Sequence, residues 1–220
     1  MRIVPSPCDG TLADGHPHLS RIFNPAAASC PYRRGMETST ALLRVLDQLA
    51  DLLDDAAATP PTAPTPCSEY DFQTLRGHVV GWLTAFTDGY AADDHTCSDP
   101  EAVTVEGSGA EQVRRNAARL SELLPAALAH PLNIGGAGMP GDMAASMILW
   151  EYQVHGWDLA QAAGLPWSPD EEGLEASLVF APNMLTPDFQ GKGKVFGPAV
   201  DVPADAPAMN RLAGLSGRQV

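Results

Sequence analysis

Glu151 and His155 stand four residues apart in Glu151-Tyr152-Gln153-Val154-His155, and His78 sits between Leu75 and Trp82 at three- and four-residue steps. On a helix, side chains four apart lie one above the other on the same face. Extended both ways, the face of Glu151 and His155 reads Met143, Met147, Ile148, Glu151, His155, Leu159. Its other members are apolar, so the face points inward, where a bare carboxylate is costly unless paired or bound to a cation. His78, Glu151 and His155, projecting from two helices, make a divalent-metal site of the kind zinc favours. Three protein ligands leave a position for water or substrate. The Glu–His pair alone is weak evidence, because ten Glu and six His in 220 residues give roughly 0.3 such pairs by chance. On spacing alone, a metal site and a plain buried His155–Glu151 ion pair, with His78 as a separate core histidine, stand about equal.

The chain that must position these residues is acidic. Thirteen Lys and Arg against 27 Asp and Glu leave a formal charge of −14 and a pI of about 4.6. A nucleic-acid binder needs a basic face, and anionic lipid repels this charge, so neither is an expected partner. No apolar run approaches the roughly 20 residues of a membrane helix. Val4-Pro5-Ser6-Pro7 interrupts what would be the core of a secretory signal. Cys8, Cys30, Cys67 and Cys97 form neither a CxxC zinc pattern nor a dense disulfide scaffold. The expectation is a cytoplasmic protein with reduced thiols and a small-molecule substrate.

Residues 1–35 hold five prolines, scattered glycines, His16 and His18, and no periodic stretch. We expect a disordered arm there, and Met36 is a natural translation start, which makes the arm a candidate gene-model extension. The bundle proper is then expected over 36–220. Leu42, Leu43, Leu46, Leu49, Ala50 and Leu53 recur at helical steps. A proline-rich loop from Thr59 to Pro66 follows. Ser68 or Asp71 can cap a second helix reaching about Tyr90 through Leu75, Val79, Trp82, Leu83 and Phe86. A third helix covers Ala110 to Leu128. Gly135-Gly136-Ala137-Gly138, without GxGxxG or GKS/T, reads as a flexible turn in a loop, not a phosphate cradle, before a fourth helix, Asp142 to Ala163. Gly164-Leu165-Pro166 ends that helix. A fifth runs from Pro169 to about Phe180, and a short one lies near Ala206 to Leu215. The expected fold is all-α: four long antiparallel helices with short additional C-terminal helices.

Other residues carry weaker signals. Cys67, near the start of the second helix, is either a thiol activated by the helix N-terminus or a packing residue. Trp82, Tyr152 and Trp157 either line a pocket or fill the core. Asp158 is placed to receive the second N–H of a ligating His155, or to cap a loop. His95 and His130 fall in or beside loops and read as exposed. There is no HExxH.

Three blocks of the sequence carry a resemblance. Thr65-Pro66-Cys67-Ser68-Glu69-Tyr70-Asp71 with Gly77-His78-Val79-Val80-Gly81-Trp82 is the first, and Glu151-Tyr152-Gln153-Val154-His155-Gly156-Trp157-Asp158-Leu159-Ala160 the second. Phe196-Gly197-Pro198 with Val202-Pro203-Ala204-Asp205-Ala206-Pro207 is the third. In this order they resemble the DinB-like proteins related to the N-terminal domain of mycothiol-dependent maleylpyruvate isomerase, over about residues 38–216. The resemblance implies a DinB-like four-helix bundle with one divalent metal, commonly zinc, on His78, Glu151 and His155. The isomerase has a further C-terminal domain with no counterpart here, so maleylpyruvate isomerisation itself is not implied.

The expected function is accordingly a metal-dependent thiol transferase or isomerase. A cation on two neutral histidines and one carboxylate keeps net positive charge and favours a coordinated thiolate. That thiolate would add to a small electrophile, and the resemblance suggests mycothiol or a similar thiol as co-substrate. Zinc is the expected metal, with nickel and other divalent ions open. Three other readings stay open: a thiol-independent Lewis-acid enzyme performing hydrolysis or cyclisation, a non-catalytic metal-binding module, and an ion-paired bundle that forms homodimers through an apolar helix face.

Overall fold

A computed structural model describes residues 31–194 and 196–220 of the chain. The expectations for residues 1–30, including Cys8, Cys30, His16 and His18, lie outside the described residues. The described chain is mostly helical: α1 (Pro31–Asp55), α2 (Phe72–Ala91), α3 (Ala110–Ala127), α4 (Gly141–Ala163), α5 (Glu171–Phe180) and α6 (Ala208–Leu215). A two-stranded hairpin, β1 (Leu132–Ile134) and β2 (Ala137–Met139), precedes α4. Among the described residues no helix is long and apolar enough to cross a membrane.

The four longest helices form a square. α1 packs against both α3 and α4, and α2 packs against the same two. Leu42, Val45, Leu46, Leu49, Ala50 and Leu53 of α1 are buried, and they meet Leu75, Val79 and Leu83 of α2 and Val113, Leu120 and Leu124 of α3 in one core. Arg114 of α3 reaches both Asp51 and Asp54 of α1, each at 2.9 Å, and Arg119 reaches Asp88 of α2 at 3.1 Å. These pairs are solvated and contribute little beside the core.

The elements end where local chemistry predicts. Asp71 caps α2: the Thr74 amide donates to Asp71 Oδ1 at 2.8 Å, and the Asp71 amide donates to Thr74 Oγ1 at 3.0 Å. This reciprocal box satisfies two of the amides that a helix start leaves open. α4 ends in a left-handed Gly164 (φ +67°), with the Leu165 amide on the Ala160 carbonyl and the Gly164 amide on that of Gln161. That is the Schellman pattern expected of Gly-Leu-Pro. α5 begins at Glu171, not Pro169, and Asp170 caps it, its side chain accepting from the Gly173 amide at 2.8 Å.

Two expectations need correction. α1 starts at Pro31, so Gly35 lies inside the helix rather than in an arm. Proline suits a first helical turn, where its missing N–H has no partner to lose. Gly35 is buried, and a Cβ built on it would come within 3.1 Å of Leu128 Cδ1. The second correction concerns the glycine-rich segment: the expected turn is present, but two short strands flank it, so it is the tight turn of a hairpin. Gly135 and Gly136 have φ of +57° and +85°, and Leu132 pairs with Met139 and Ile134 with Ala137. Two successive left-handed residues give the tight turn whose twist matches the strands.

α4 is apolar on more than one side. Ile148, Leu149, Tyr152 and Leu159 face the bundle, whereas Trp150, Val154 and Trp157 meet a second core with Leu174 of α5 and Met209 and Leu212 of α6. A helix buried on two sides is held in place along its length. It is the helix that carries two of the three candidate ligands.

Candidate metal centre

α2 supplies His78 and α4 supplies Glu151 and His155, and the structure brings the three together. Their ligand atoms all lie within 4.8 Å of one another. The rings of His78 and His155 meet edge to face with centroids 5.2 Å apart. His155 Nε2 is 3.3 Å from Glu151 Oε2, as the four-residue spacing requires. Both side chains are mostly buried, His155 at 12% exposure and Glu151 at 25%.

Each histidine is held by its other nitrogen. Tyr70 Oη lies 3.2 Å from His78 Nδ1, and Asp158 Oδ2 lies 3.2 Å from His155 Nδ1. Fixing Nδ1 orients the ring and leaves Nε2 for the centre, the arrangement by which outer partners set a ligating histidine's tautomer. Asp158 is itself completely buried and paired with Arg218, whose Nη2 donates to Oδ2 at 2.9 Å and whose Nε donates to Oδ1 at 3.3 Å. The chain from the C-terminal segment to the centre thus runs Arg218, Asp158, His155.

The protonation states follow from these contacts. Burial, reinforced by the neighbouring His155, pushes His78 down to about 4, so it is a neutral imidazole near pH 7. Burial also disfavours charge on His155, but Asp158 and Glu151 on either side outweigh it and hold the ring above its ordinary value. Burial opposes the charge of Glu151 and Asp158 too, yet His155 and Arg218 keep both carboxyls below the usual range.

This donor set fits a divalent cation. Two imidazoles and a carboxylate are ligands zinc accepts, and two bonds of about 2.1 Å place ligand atoms at most about 4 Å apart. Tetrahedral zinc with such bonds sets ligand atoms about 3.4 Å apart, so the trio, spread within 4.8 Å, would draw together by up to about 1.4 Å to hold it. A cavity of about 220 Å³ opens beside the trio, and its remaining wall is Val79, Trp82, Phe86, Ile134, Met147 and Tyr152. Ile134 comes from the hairpin, so the β-turn completes the pocket. Tyr152 Oη donates to the Val79 carbonyl at 2.9 Å, and burial pushes its hydroxyl pKa well up, so it serves as a structural donor.

Several expected site residues fall elsewhere. Met143, placed on the inward face by spacing, is 40% exposed near the start of α4. Trp82 and Tyr152 line the pocket, but Trp157 is packed in the second core. Cys67 sits in the turn before Phe72 and not on the helix N-terminus; burial pushes its thiol up, and Arg218 only partly opposes that. His95 is half-buried with a left-handed backbone (φ +52°), its ring stacked on the exposed His130 with centroids 4.9 Å apart. Sequence reasoning gave no role to Tyr70 or Arg218. A glycine-arginine pair just past an apolar helix was the available signal for the latter.

The chain is 28% identical over 185 residues to an uncharacterized protein of Mycobacterium tuberculosis strain H37Rv. It matches one from strain CDC 1551 / Oshkosh with the same identity over the same length. The match covers 84% of this chain and 100% of each relative. No family model and no solved structure matches the chain.

Proposed function

We propose that this protein is a divalent-metal enzyme with a DinB-like four-helix bundle, adding a low-molecular-weight thiol to a small, largely apolar electrophile. The observation that carries the reading is the half-buried His78–Glu151–His155 trio opening directly onto an apolar cavity. A closed metal-storage site would have no adjoining pocket, so the cavity supports catalysis over storage. When bound by these three residues, a divalent cation supplies Lewis acidity that lowers the pKa of a coordinated thiol or water.

The chain's own residues do the rest. Tyr70 and Asp158 keep the two imidazoles turned toward the centre. Trp82, Phe86 and Met147 present apolar surface that holds the substrate carbon skeleton and excludes water, which strengthens electrostatic interactions in the site. In the addition itself the S–H bond breaks, its proton leaves to solvent, and the sulfur–carbon bond forms. The displaced electron pair ends on the electrophile's conjugated oxygen, which a proton from solvent neutralises. Reversal of the addition after a bond rotation gives an isomerase. Among the described residues the cavity wall holds no Arg or Lys, which favours a neutral or singly charged electrophile over a dicarboxylate.

The same wall favours a second reading. Among the described residues it offers no amide or cationic side chain for the polar body of a mycothiol-like molecule, which suits a thiol-independent Lewis-acid reaction on one small substrate. Elemental mass spectrometry on chelator-free protein tests the metal first. About one equivalent, lost in His78→Ala, Glu151→Gln and His155→Ala, is the expected result. Absence of metal after loading with zinc or nickel refutes both readings. Rates with small electrophiles, measured with and without added thiol, then separate them.

A further inference from the structure

The support behind His155 comes from a distant part of the chain. α6 ends with Gly217 at φ +83°, the Arg218 amide on the Ala213 carbonyl and the Gly217 amide on that of Gly214. This second Schellman turn reverses the chain so that Arg218 returns toward α4. Gly217 is packed on Gly197, where an added Cβ would lie 2.8 Å from the Gly197 carbonyl oxygen. Arg218 Nη1 donates to the Ser216 carbonyl at 2.7 Å, and Ser216 Oγ accepts from Trp150 Nε1 of α4 at 3.0 Å. The guanidinium is thus fixed on both sides before it meets Asp158 through two nitrogens.

We infer that Arg218 is a positioning residue of the metal centre, acting through Asp158 to hold His155 in the orientation and tautomer that present Nε2 to a cation. The inference rests on the metal reading of the trio. Three geometric facts carry it: the bidentate pairing, the near-complete burial of both partners, and the sharing of Asp158 Oδ2 between Arg218 and His155. A carboxylate held by a single contact could rotate away from the ring. Held through both oxygens by a planar fork, it cannot. A purely structural ion pair would need no histidine on its second lone pair, and the shared oxygen is what ties the C-terminal segment to the ligand. Lysine in place of Arg218 would keep a positive charge but lose the fork.

The test compares wild type with Arg218→Ala, Arg218→Lys and the double variant Asp158→Asn/Arg218→Met, by zinc competition against a chromophoric chelator and by thermal unfolding of zinc-free protein. Loss of an outer partner of a ligating histidine weakens metal binding by about 10- to 100-fold, and that is the expectation for R218A. R218K should recover part of the affinity. The double variant leaves no unpaired buried charge, so it keeps the test open if R218A does not fold; a zinc affinity at least about 10-fold weaker is expected there too. A wild-type zinc affinity in folded R218A or in the double variant, with only the unfolding temperature changed, overturns the inference alone. Wild-type protein that takes up neither zinc nor nickel overturns the metal reading and this inference with it.

Discussion

Gly156 follows His155 in α4, and replacing it with Ala sets two physical effects against each other. By helix propensity alone, alanine stabilises by about 1 kcal/mol over glycine. The structure opposes this. A Cβ at 156 would lie 2.6 Å from Trp167 Cη2 and 2.7 Å from Cε2, and closer still to Cζ2. Carbon atoms prefer about 3.5–4.0 Å, so the indole must retreat by about an ångström or more. That ring is rigid, and its Nε1 donates to the Gln153 carbonyl at 2.9 Å. Overpacking costs about 1–3 kcal/mol, and the lost hydrogen bond about 0.5–1.5 kcal/mol. The net expectation is destabilisation of about 2 kcal/mol, which in a domain of this size lowers Tm by about 4–8 °C. Thermal and urea unfolding of metal-free protein, followed by circular dichroism and tryptophan fluorescence, measures it. A Tm equal to or above wild type would refute the reasoning, because propensity would then have outweighed the contact.

Tyr70→Phe removes the hydroxyl beside His78 Nδ1 and should weaken zinc binding about 10-fold with little change in unfolding temperature, read by the same chelator competition. Tyr152→Phe should do the opposite: loss of the buried bond to the Val79 carbonyl lowers stability by about 1 kcal/mol in urea unfolding while zinc affinity holds. Asp71→Ala should destabilise at neutral pH, with a gap that closes in acid. Thr74 holds the Asp71 carboxyl below its ordinary value in the folded state. Its contribution is therefore present above the unfolded pKa of about 3.9 and is lost as pH falls through the folded value. Unfolding of both proteins at a series of pH values checks this, and a gap independent of pH contradicts it.

The inward placement of His78, Glu151 and His155 was legible because its signal is local, although spacing alone left an ion pair as open as a metal site. A four-residue step on one helix, and three- and four-residue steps around His78 on another, mark inward faces without any knowledge of the fold. Helix ends were legible for the same reason, as at Asp71 and Gly164. What escaped depends on distance or on context. The strands around Gly135 and Gly136 are three residues each, too short for an alternating pattern to register. Pro31 and Gly35 fell in the arm because no periodic stretch surrounds them, although one suits a first turn and the other a close helix contact. Met143 fits the inward period yet sits in the first turn of α4, where the face runs out to solvent. Arg218 meets Asp158 across 60 residues, a pairing that no periodicity encodes.

That separation has a consequence during synthesis. At about 5–20 residues per second, Asp158 is polymerised roughly 3–12 s before Arg218 exists. Throughout that interval the carboxylate has no guanidinium to meet it and stays hydrated, so one side of α4 remains wet on the nascent chain. The second face of the helix, with Trp150 and Trp157, waits as well for Met209 and Leu212 of α6. A ribosome-bound intermediate should therefore bring His78, Glu151 and His155 together before it fixes their orientation, and on the proposed metal reading firm capture of a cation should follow the emergence of α6.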